Sequence, residues 1–147
     1  DISYSPDNYD LMGRLRQAKM FGIAVPDVEV DDPTGDAELL ILGWGSSFGP
    51  IGEACRRARR RGVKVAHAQL RHLNPLPSNL GDVLARYPRV VLPEMNLGQL
   101  ALLLRGKYLV DVRSVTKVAG MAFRADEVEG IIDAALDGTL SETGANV

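Results

Sequence analysis

The sequence predicts an α/β fold in which a mainly parallel β-sheet lies between layers of helices. Four strand-like apolar segments begin near residues 38, 63, 89 and 108, and a helical pattern fills each gap between them. The chain has 147 residues, of which 46% are apolar and 24% are charged, as expected for one globular domain. Strands that alternate with helices pair in parallel through right-handed crossovers, so the order βαβαβαβ predicts this layered arrangement.

Residues 1–24 are predicted to form a linker helix before the domain. Asp7 is a suitable N-cap, and Gly22 follows the helical pattern that runs over residues 7–21. The apolar residues of this helix fall on one face: Leu11, Met12, Leu15 and Ala18.

An acidic segment follows, in which Val28 and Val30 alternate with charged residues at the period of a half-exposed strand. Carboxylates in this number can bind a metal ion, but charge on an edge strand also prevents mispairing with other chains. The edge-strand interpretation is favoured. The acids of the segment are Asp27, Glu29, Asp31, Asp32 and Asp36.

The main domain is predicted to span residues 25–138, with a buried strand at Leu39–Leu42. A glycine-rich loop then leads to a helix that Gly62 ends, and Val63–Ala68 is predicted as the next strand. The apolar residues of the helix recur on one face: Ile51, Ala54, Cys55 and Ala58.

A second loop, Arg71–Pro77, leads to a helix that Pro88 ends. The apolar face of that helix contains Leu80, Val83, Leu84 and Tyr87. Val90–Leu92 is predicted as a buried strand, and Pro93 is predicted to end its hydrogen bonding because proline has no N–H group.

Three further elements complete the predicted domain. The first is a helix closed by Gly106, and the second is a strand at Tyr108–Val112. The third is a helix over Asp126–Asp137, followed by Gly138. Residues 139–147 are predicted to form a disordered tail.

The most informative junction lies after the strand that ends at Leu92. Asn96 is predicted to cap the next helix, with Gln99 three residues later as its partner in a capping box. Glu94 would then lie at the carboxyl end of a strand, where open α/β sheets place their ligands. Two roles stay open for Glu94, an acid or base in catalysis and a carboxylate bound to helix amides, and the second is favoured.

The glycine-rich loop Gly43–Gly49 is a second candidate site, because it joins a strand to a helix and its amides could bind a phosphate or carboxylate. Its spacing, G-x-G-x-x-x-G, is one residue longer than the dinucleotide fingerprint, and the following strand ends without an acid for a ribose. A nicotinamide cofactor is therefore disfavoured. A glycine turn needed for close packing is favoured over anion binding. The candidate contacts are Gly43, Gly45, Ser46 and Ser47.

Basic residues form two further groups. Arg71, His72 and Asn74 lie in a loop at the carboxyl edge of the sheet, where an anion could bind. The arginine run at residues 56–61 is typical of a solvated or salt-bridged helix face rather than a nucleic-acid site, since interleaved aromatic residues are missing. His67 is expected to be a core residue with a hydrogen-bond partner, and no zinc-binding set is expected.

Bulk properties favour a cytoplasmic protein without nucleic-acid or membrane partners. The net charge is −2, and no apolar run approaches the roughly 18 residues that a membrane span needs. A single cysteine, Cys55, excludes an internal disulfide and an iron–sulfur cluster bound by this chain alone. The chain begins at Asp1 without a signal-peptide pattern, and the missing Met suggests a piece of a longer polypeptide.

Four spaced segments resemble the alpha subunits of the 2-oxoacid:ferredoxin oxidoreductase family, and in particular those that act on 2-oxoglutarate. They are Asp36–Pro50, Leu70–Gly81, Leu92–Leu100 and Lys117–Phe123. The resemblance covers nearly the whole chain. It implies the C-terminal domain of such a subunit, with the fold of the transketolase C-terminal domain: a three-layer sandwich around a five-stranded mixed sheet, in which Val28–Val30 could supply the antiparallel strand.

The resemblance also implies the activity of the complete enzyme, which decarboxylates a 2-oxoacid, passes electrons to ferredoxin and forms an acyl-CoA. Thiamine diphosphate, Mg and an iron–sulfur cluster would be held by the beta subunit and the rest of the alpha subunit. This chain lacks the Gly-Asp-Gly…Asn diphosphate motif, so an assembly and positioning role is expected, with no catalytic residue. Glu94, Asn96 and Gln99 would lie on a domain edge.

Overall fold

The computed structural model describes residues 24–95, 98–117 and 121–141. Within these ranges the strands are β1 (Val30–Asp31), β2 (Leu39–Trp44), β3 (Val65–Leu70), β4 (Arg89–Glu94) and β5 (Val112–Thr116). The helices are α1 (Phe48–Arg60), α2 (Leu80–Arg86), α3 (Gln99–Tyr108) and α4 (Ala125–Asp137), and a short 3-10 turn at Gly45–Ser47 precedes α1.

The five strands form one mixed sheet in the order β1-β3-β2-β4-β5. The strands β3, β2, β4 and β5 are parallel, and β1 pairs antiparallel with β3 through Val30 opposite Ala68. The predicted α/β class is confirmed, and the acidic segment supplies the antiparallel edge strand.

Two hydrophobic cores cover the two faces of this sheet. One contains buried residues of α2 and α3, and the other contains buried residues of α1 and α4. Leu39–Leu42 of β2 are fully buried, and alternate residues of this strand belong to opposite cores. Each such side chain contributes about 1.5–3 kcal/mol of transfer free energy, which makes the continuous apolar run the centre of the fold.

The strand β3 begins two residues later than expected because Val63 belongs to the C-terminal cap of α1. The Val63 amide donates to the Ala58 carbonyl at 3.0 Å, and the Gly62 amide donates to the Arg59 carbonyl at 2.9 Å. This pair of bonds is a Schellman ending, with Gly62 at a φ of +85°. The predicted stop at Gly62 is therefore correct, and β3 starts at Val65.

The predicted strand over Tyr108–Val112 is wrong in position. The helix α3 continues through Gly106 and ends after Tyr108, where Leu109 takes a φ of +55° and donates to the Arg105 carbonyl at 3.0 Å. An interior glycine costs a helix only about 1 kcal/mol, so Gly106 alone does not end it. The strand β5 accordingly runs over Val112–Thr116.

Pro93 does not end β4 as predicted, since it lies within the strand, opposite Val115. The Glu94 carbonyl accepts the Lys117 amide on the β5 side at 3.0 Å. Successive residues of a strand alternate in direction, so the backbone of Pro93 faces the β2 side, where pairing stops at Val91. A missing N–H group costs no ladder bond there.

Some predictions fall outside the described residues. These are the helix over residues 7–21, the N-cap Asn96 and the tail from residue 142. The proposed boundaries of the linker helix, the domain and the tail stay predictions.

Candidate functional site

The carboxyl edge of the sheet has a switch point between β2 and β4. The connection after β2 leads to α1 on one face, whereas the connection after β4 leads to α3 on the other face. Crevices at such switch points are the usual ligand sites of open α/β sheets. The glycine-rich loop and the Glu94 junction flank this point.

Gly43 occupies a place where a side chain would displace the side chain of Gln69. A Cβ atom there would lie 1.8 Å from Gln69 Oε1 and 3.0 Å from Ile51 Cδ1. Gly45 has a φ of +67°, a conformation that favours glycine. Close packing and turn geometry therefore explain both glycines, which supports the structural interpretation of this loop.

The hydroxyl of Ser47 closes the glycine-rich loop on itself. Its Oγ accepts the Trp44 amide at 3.1 Å and donates to the Trp44 carbonyl at 2.9 Å. Gln69 Nε2 donates to the Gly45 carbonyl at 3.2 Å, while Ser46 is exposed. These loop contacts are made within the domain, and their use by a ligand stays a prediction.

Gln69 and Phe48 connect the glycine-rich loop with the loop that contains Arg71. Neither was predicted as a site residue. The Gln69 side chain bonds His67 Nε2 at 3.0 Å, and the Phe48 ring lies 5.5 Å from the His67 ring. The Arg71 guanidinium lies over Phe48 at 5.2 Å from the ring centre. In the sequence, this network could have been predicted from the polar glutamine at the end of an otherwise apolar strand.

An open cleft of about 590 Å³ contains this network. Arg71 and His72 line the cleft, as do His67 and Gln69. Asn74 does not line it, and its buried Nδ2 donates to no group in the described ranges. The cleft thus contains two of the three predicted anion ligands of this loop, beside Phe48. The candidate contacts of the glycine-rich loop do not line it: Gly43, Gly45, Ser46 and Ser47.

His67 is buried at 5% exposure. Burial lowers the pKa of this imidazole, although the hydrogen bond with Gln69 acts in the opposite direction. His67 is therefore a neutral core residue with a hydrogen-bond partner, as the sequence predicted.

Glu94 is a buried carboxylate, with 3% exposure, at the start of α3. Its Oε1 accepts the Leu100 amide at 3.1 Å, and its Oε2 accepts the Ala101 amide at 3.4 Å and the Ser114 hydroxyl at 3.1 Å. These contacts satisfy helix amides that have no partner within the helix. The geometry therefore agrees with the favoured interpretation, in which Glu94 is a carboxylate bound to helix amides.

Burial raises the pKa of Glu94, while the bonds from Ser114, Ala101 and Leu100 lower it in part. The helix begins after Gly98, which has a φ of +81° and where a Cβ atom would lie only 3.1 Å from the Ser114 hydroxyl oxygen. Glu94 therefore caps the start of α3 from the end of β4, whereas Asn96 lies outside the described ranges and its predicted capping role stays a prediction. Gln99 Oε1 is buried and accepts no hydrogen bond from the described residues.

A second buried carboxylate lies behind the end of β5. Lys117 Nζ donates to Glu127 Oε1 at 2.6 Å and to the Ala122 carbonyl at 2.9 Å. Burial raises the pKa of Glu127, but the bonds from Lys117 and the Arg124 amide outweigh it, so the pKa is lowered. Lys117 thus pairs with a buried carboxylate and anchors the segment before α4.

The arginines of α1 are bound by carboxylates of the same chain. Arg57 and Arg61 lie within 3.6 Å of Glu129 on α4, and Arg56 pairs with Glu53 at 2.8 Å. The salt-bridged interpretation of this helix face is supported over a nucleic-acid site.

The donor groups do not fit the metal cofactors of an oxidoreductase. Among the described residues there is no group of three His, Cys, Asp or Glu that could hold a metal ion. Cys55 is a single buried thiol whose pKa burial raises to about 11, whereas an iron–sulfur cluster needs several thiolates. No reaction step is assigned to such groups in this chain.

Comparison with known families gives a match over residues 37–131, to pyruvate:ferredoxin oxidoreductase core domain II. The matched range contains the whole parallel sheet and both flanking junctions. The chain belongs to this family. The resemblance to 2-oxoacid:ferredoxin oxidoreductases is thereby confirmed.

Two curated relatives are subunits of oxidoreductases. The 2-oxoglutarate oxidoreductase subunit KorA of Mycobacterium tuberculosis is 75% identical over 97% of this chain. The alpha subunit of 2-oxoacid:ferredoxin oxidoreductase 2 from Aeropyrum pernix is 34% identical over 84% of this chain. The matched segments are 22% and 20% of those proteins, so the chain spans about a fifth of their length.

Two solved structures share the fold of this core domain II. The 2-oxoglutarate:ferredoxin oxidoreductase of Magnetococcus marinus, with 2-oxoglutarate, coenzyme A and succinyl-CoA bound, matches 91% of this chain and 24% of its own chain, with 28% identity and a TM-score of 0.72. A split-gene transketolase matches 79% of this chain and 45% of its own at 16% identity, with a TM-score of 0.57. The expected transketolase-like fold is confirmed.

Among the described residues, no helix is long enough and apolar enough to cross a membrane.

Proposed function

We propose that this chain is the C-terminal, assembly and positioning module of the alpha subunit of a 2-oxoglutarate:ferredoxin oxidoreductase. The observation that carries this proposal is the 75% identity to KorA over 97% of the chain. At that identity about three of every four aligned residues are the same in the two proteins. The whole enzyme would oxidise and decarboxylate 2-oxoglutarate, form an acyl-CoA and reduce ferredoxin in the cytoplasm.

Thiamine diphosphate, Mg and the iron–sulfur cluster would be bound by the beta subunit and by other parts of the alpha subunit. The role of this module follows from its buried polar groups. Glu94 is hydrogen-bonded to residues of α3 and β5, and Lys117 is paired with a carboxylate of α4. Because both side chains are engaged in these bonds, they support a positioning role rather than proton transfer.

The test is the assembly of the full-length subunit that contains this segment. Deleting residues 37–131 should abolish co-purification with a beta subunit and abolish 2-oxoglutarate-dependent reduction of ferredoxin. Full activity after this deletion would contradict the proposal. An Arg60→Ala variant, at an exposed position of α1, is the control for unspecific effects and should assemble and act normally.

A second candidate function is the binding of an anionic ligand such as a CoA phosphate. The observation that favours it is the cleft that Arg71 and His72 line together with Phe48. Calorimetry of the chain with CoA should give a dissociation constant below millimolar, weakened about tenfold or more by Arg71→Ala, because a phosphate contact to a charged donor contributes about 1.5–3 kcal/mol. Absence of heat at millimolar CoA would exclude this function.

A further inference from the structure

The side chain of Gln69 joins two parts of the carboxyl edge that the proposed function does not use. It lies between the glycine-rich loop and the ring of His67, two residues earlier on the same face of β3. Gln69 Nε2 donates to the Gly45 carbonyl at 3.2 Å, and Gln69 Oε1 lies 3.0 Å from His67 Nε2. A side-chain amide has one donor end and one acceptor end, so its two neighbours determine its orientation.

The neighbours of Gln69 Nε2 are both hydrogen-bond acceptors. The Gly45 carbonyl oxygen can only accept, so the group that faces it must be the NH₂ group of Gln69. Gln69 Nε2 also lies 3.4 Å from the Ser47 hydroxyl oxygen. The Ser47 hydroxyl donates its proton to the Trp44 carbonyl, so its oxygen accepts from Gln69. The Oε1 end of Gln69 therefore faces His67.

The acceptor end of Gln69 determines which nitrogen of His67 carries the proton. Burial lowers the pKa of this imidazole, so the ring holds a single proton at neutral pH. Only a protonated Nε2 can donate to Gln69 Oε1. The contact thus requires the Nε2–H tautomer of His67, in which Nδ1 can only accept a hydrogen bond.

The contact with Gln69 also sets the direction of one peptide of the glycine-rich loop. In a trans peptide, the carbonyl of one residue and the N–H group of the next point in opposite directions. The peptide between Gly45 and Ser46 is trans, and its carbonyl points to Gln69. The Ser46 amide therefore points away from Gln69. Ser46 is exposed and is one of the candidate anion contacts of this loop.

We propose that Gln69 is a positioning residue that holds His67 as the Nε2–H tautomer and directs the Ser46 amide outward. The position of the Gln69 side chain depends on Gly43, because a Cβ atom there would lie 1.8 Å from Gln69 Oε1. The inference goes beyond the proposed function, since it requires neither subunit assembly nor a bound ligand. Its failure would therefore leave the proposed function untouched.

The test is nitrogen-15 NMR spectroscopy of the 147-residue chain with His72→Gln. The chain has two histidines, and His72 is exposed, so this change leaves His67 as the only imidazole. Nε2 correlates strongly with both carbon-bound ring protons and Nδ1 with one, which identifies the protonated nitrogen. At about pH 7 to 8, Nε2 should have the chemical shift of an N–H nitrogen. A proton on Nδ1, or exchange between the two tautomers, would overturn the proposal.

Two variants separate the two contacts of Gln69. Gln69→Met removes both contacts, so His67 should change to a mixture of tautomers. Gln69→Glu keeps an acceptor for His67 but places a second oxygen against the Gly45 carbonyl, so the proton should stay on Nε2 while the loop is released. In both variants the Trp44 amide, which is bonded to the Ser47 hydroxyl, should exchange about fivefold faster or more, the effect of one lost hydrogen bond.

Gln99→Met is the matched control, because it makes the same change at the start of α3, which packs on the other face of the sheet. It should alter neither the His67 tautomer nor Trp44 exchange. An Nε2–H tautomer retained in Gln69→Met, or unchanged Trp44 exchange in both Gln69 variants, would overturn the proposal. Exchange of the β2 amides reports whether each variant is folded, and the tautomer in the chain with Gln69 decides the question if a variant unfolds.

Discussion

At the scale of single residues, the domain uses two buried carboxylates in opposite ways. Glu94 accepts two helix amides and a serine hydroxyl, and burial raises its pKa. Glu127 accepts the Lys117 ammonium, and its pKa is lowered. The two pKa values are therefore shifted in opposite directions because the two carboxyl groups have different partners.

The first prediction concerns Glu94→Ala. The change leaves the Leu100 and Ala101 amides without their acceptor at a buried helix start, and we expect a loss of about 3 kcal/mol in the free energy of unfolding. Urea unfolding measures this loss. Glu38→Ala removes an exposed carboxylate and should stay within about 0.5 kcal/mol. Equal losses for the two variants would contradict the capping role of Glu94.

The second prediction uses the pH dependence of stability. Because the folded pKa of Glu94 is raised above its ordinary value of 4.5, the unfolded chain loses this proton first, and the Glu94 contribution to stability falls as the pH rises through that interval. Glu127 has a lowered folded pKa, so its contribution is present above 4.5 and is lost as the pH falls.

Unfolding of Glu94→Gln and Glu127→Gln, measured between about pH 3 and 7, should show these opposite trends. Relative to the unmodified chain, the Glu94 variant should gain stability as the pH rises, and the Glu127 variant should lose it. Parallel curves for the two variants would refute the assignment.

The third prediction tests why Gly43 is a glycine. Gly43→Ala forces the new Cβ against Gln69 Oε1 and should cost about 1–3 kcal/mol. Gln69→Ala in the same chain removes the obstacle, so the double variant should lose less stability than the sum of the two single variants. Gly49→Ala, where no atom lies within 4 Å, is the matched control. Strict additivity would mean that close packing is not the reason.

At the scale of elements, side chains support the edge strand β1, which has only two residues. Arg59 donates to the Val65 carbonyl at 2.8 Å, to the Asp31 carbonyl at 2.9 Å and to the Asp31 carboxylate at 2.8 Å. The guanidinium thus satisfies backbone acceptors at the point where the two-residue strand ends.

The fourth prediction is that Arg59→Ala loosens β1. We expect the free energy of unfolding to fall by about 2 kcal/mol, because the variant loses charged hydrogen bonds to partly buried carbonyl groups. Exchange of the Val30 and Asp31 amides should accelerate more than exchange in β2. Arg60→Ala, at the exposed neighbouring position, should change neither quantity. Unchanged β1 exchange in Arg59→Ala would show that other contacts hold the strand.

At the scale of the whole molecule, internal contacts join the described segments at the carboxyl edge of the sheet. The Glu94 and Lys117 contacts tie adjacent loops to α3 and α4, and the glycine-rich loop is tied to β3 through Gln69. These contacts do not depend on a ligand. The carboxyl edge is therefore suited to contacts with other parts of an enzyme.

The fifth prediction is that this chain can replace its counterpart in KorA of Mycobacterium tuberculosis. With 75% identity, we expect the chimera to assemble and to reduce ferredoxin at a rate within a few-fold of the parent. The same chimera with Glu94→Ala should assemble less, because its edge is loosened. A chimera that folds but does not assemble would place the subunit contacts in the residues that differ.

Local sequence patterns were sufficient to predict the fold class and the family. The apolar run at Leu39–Leu42 and the helix face of Ile51, Ala54 and Cys55 have periods that only one secondary structure satisfies. The Gly138 ending of α4 was also predictable, because a residue with a φ of +81° is usually glycine.

The details of the site depend on tertiary contacts. Gly106 and Pro93 are local breakers, but neither stopped its element, because packing of α3 and the unpaired side of β4 made both tolerable. The role of Glu94 depends on Ser114, twenty residues away in sequence, and that of Gly43 depends on Gln69. Contacts between distant segments form only when the sheet brings its carboxyl ends together, and no local pattern contains them.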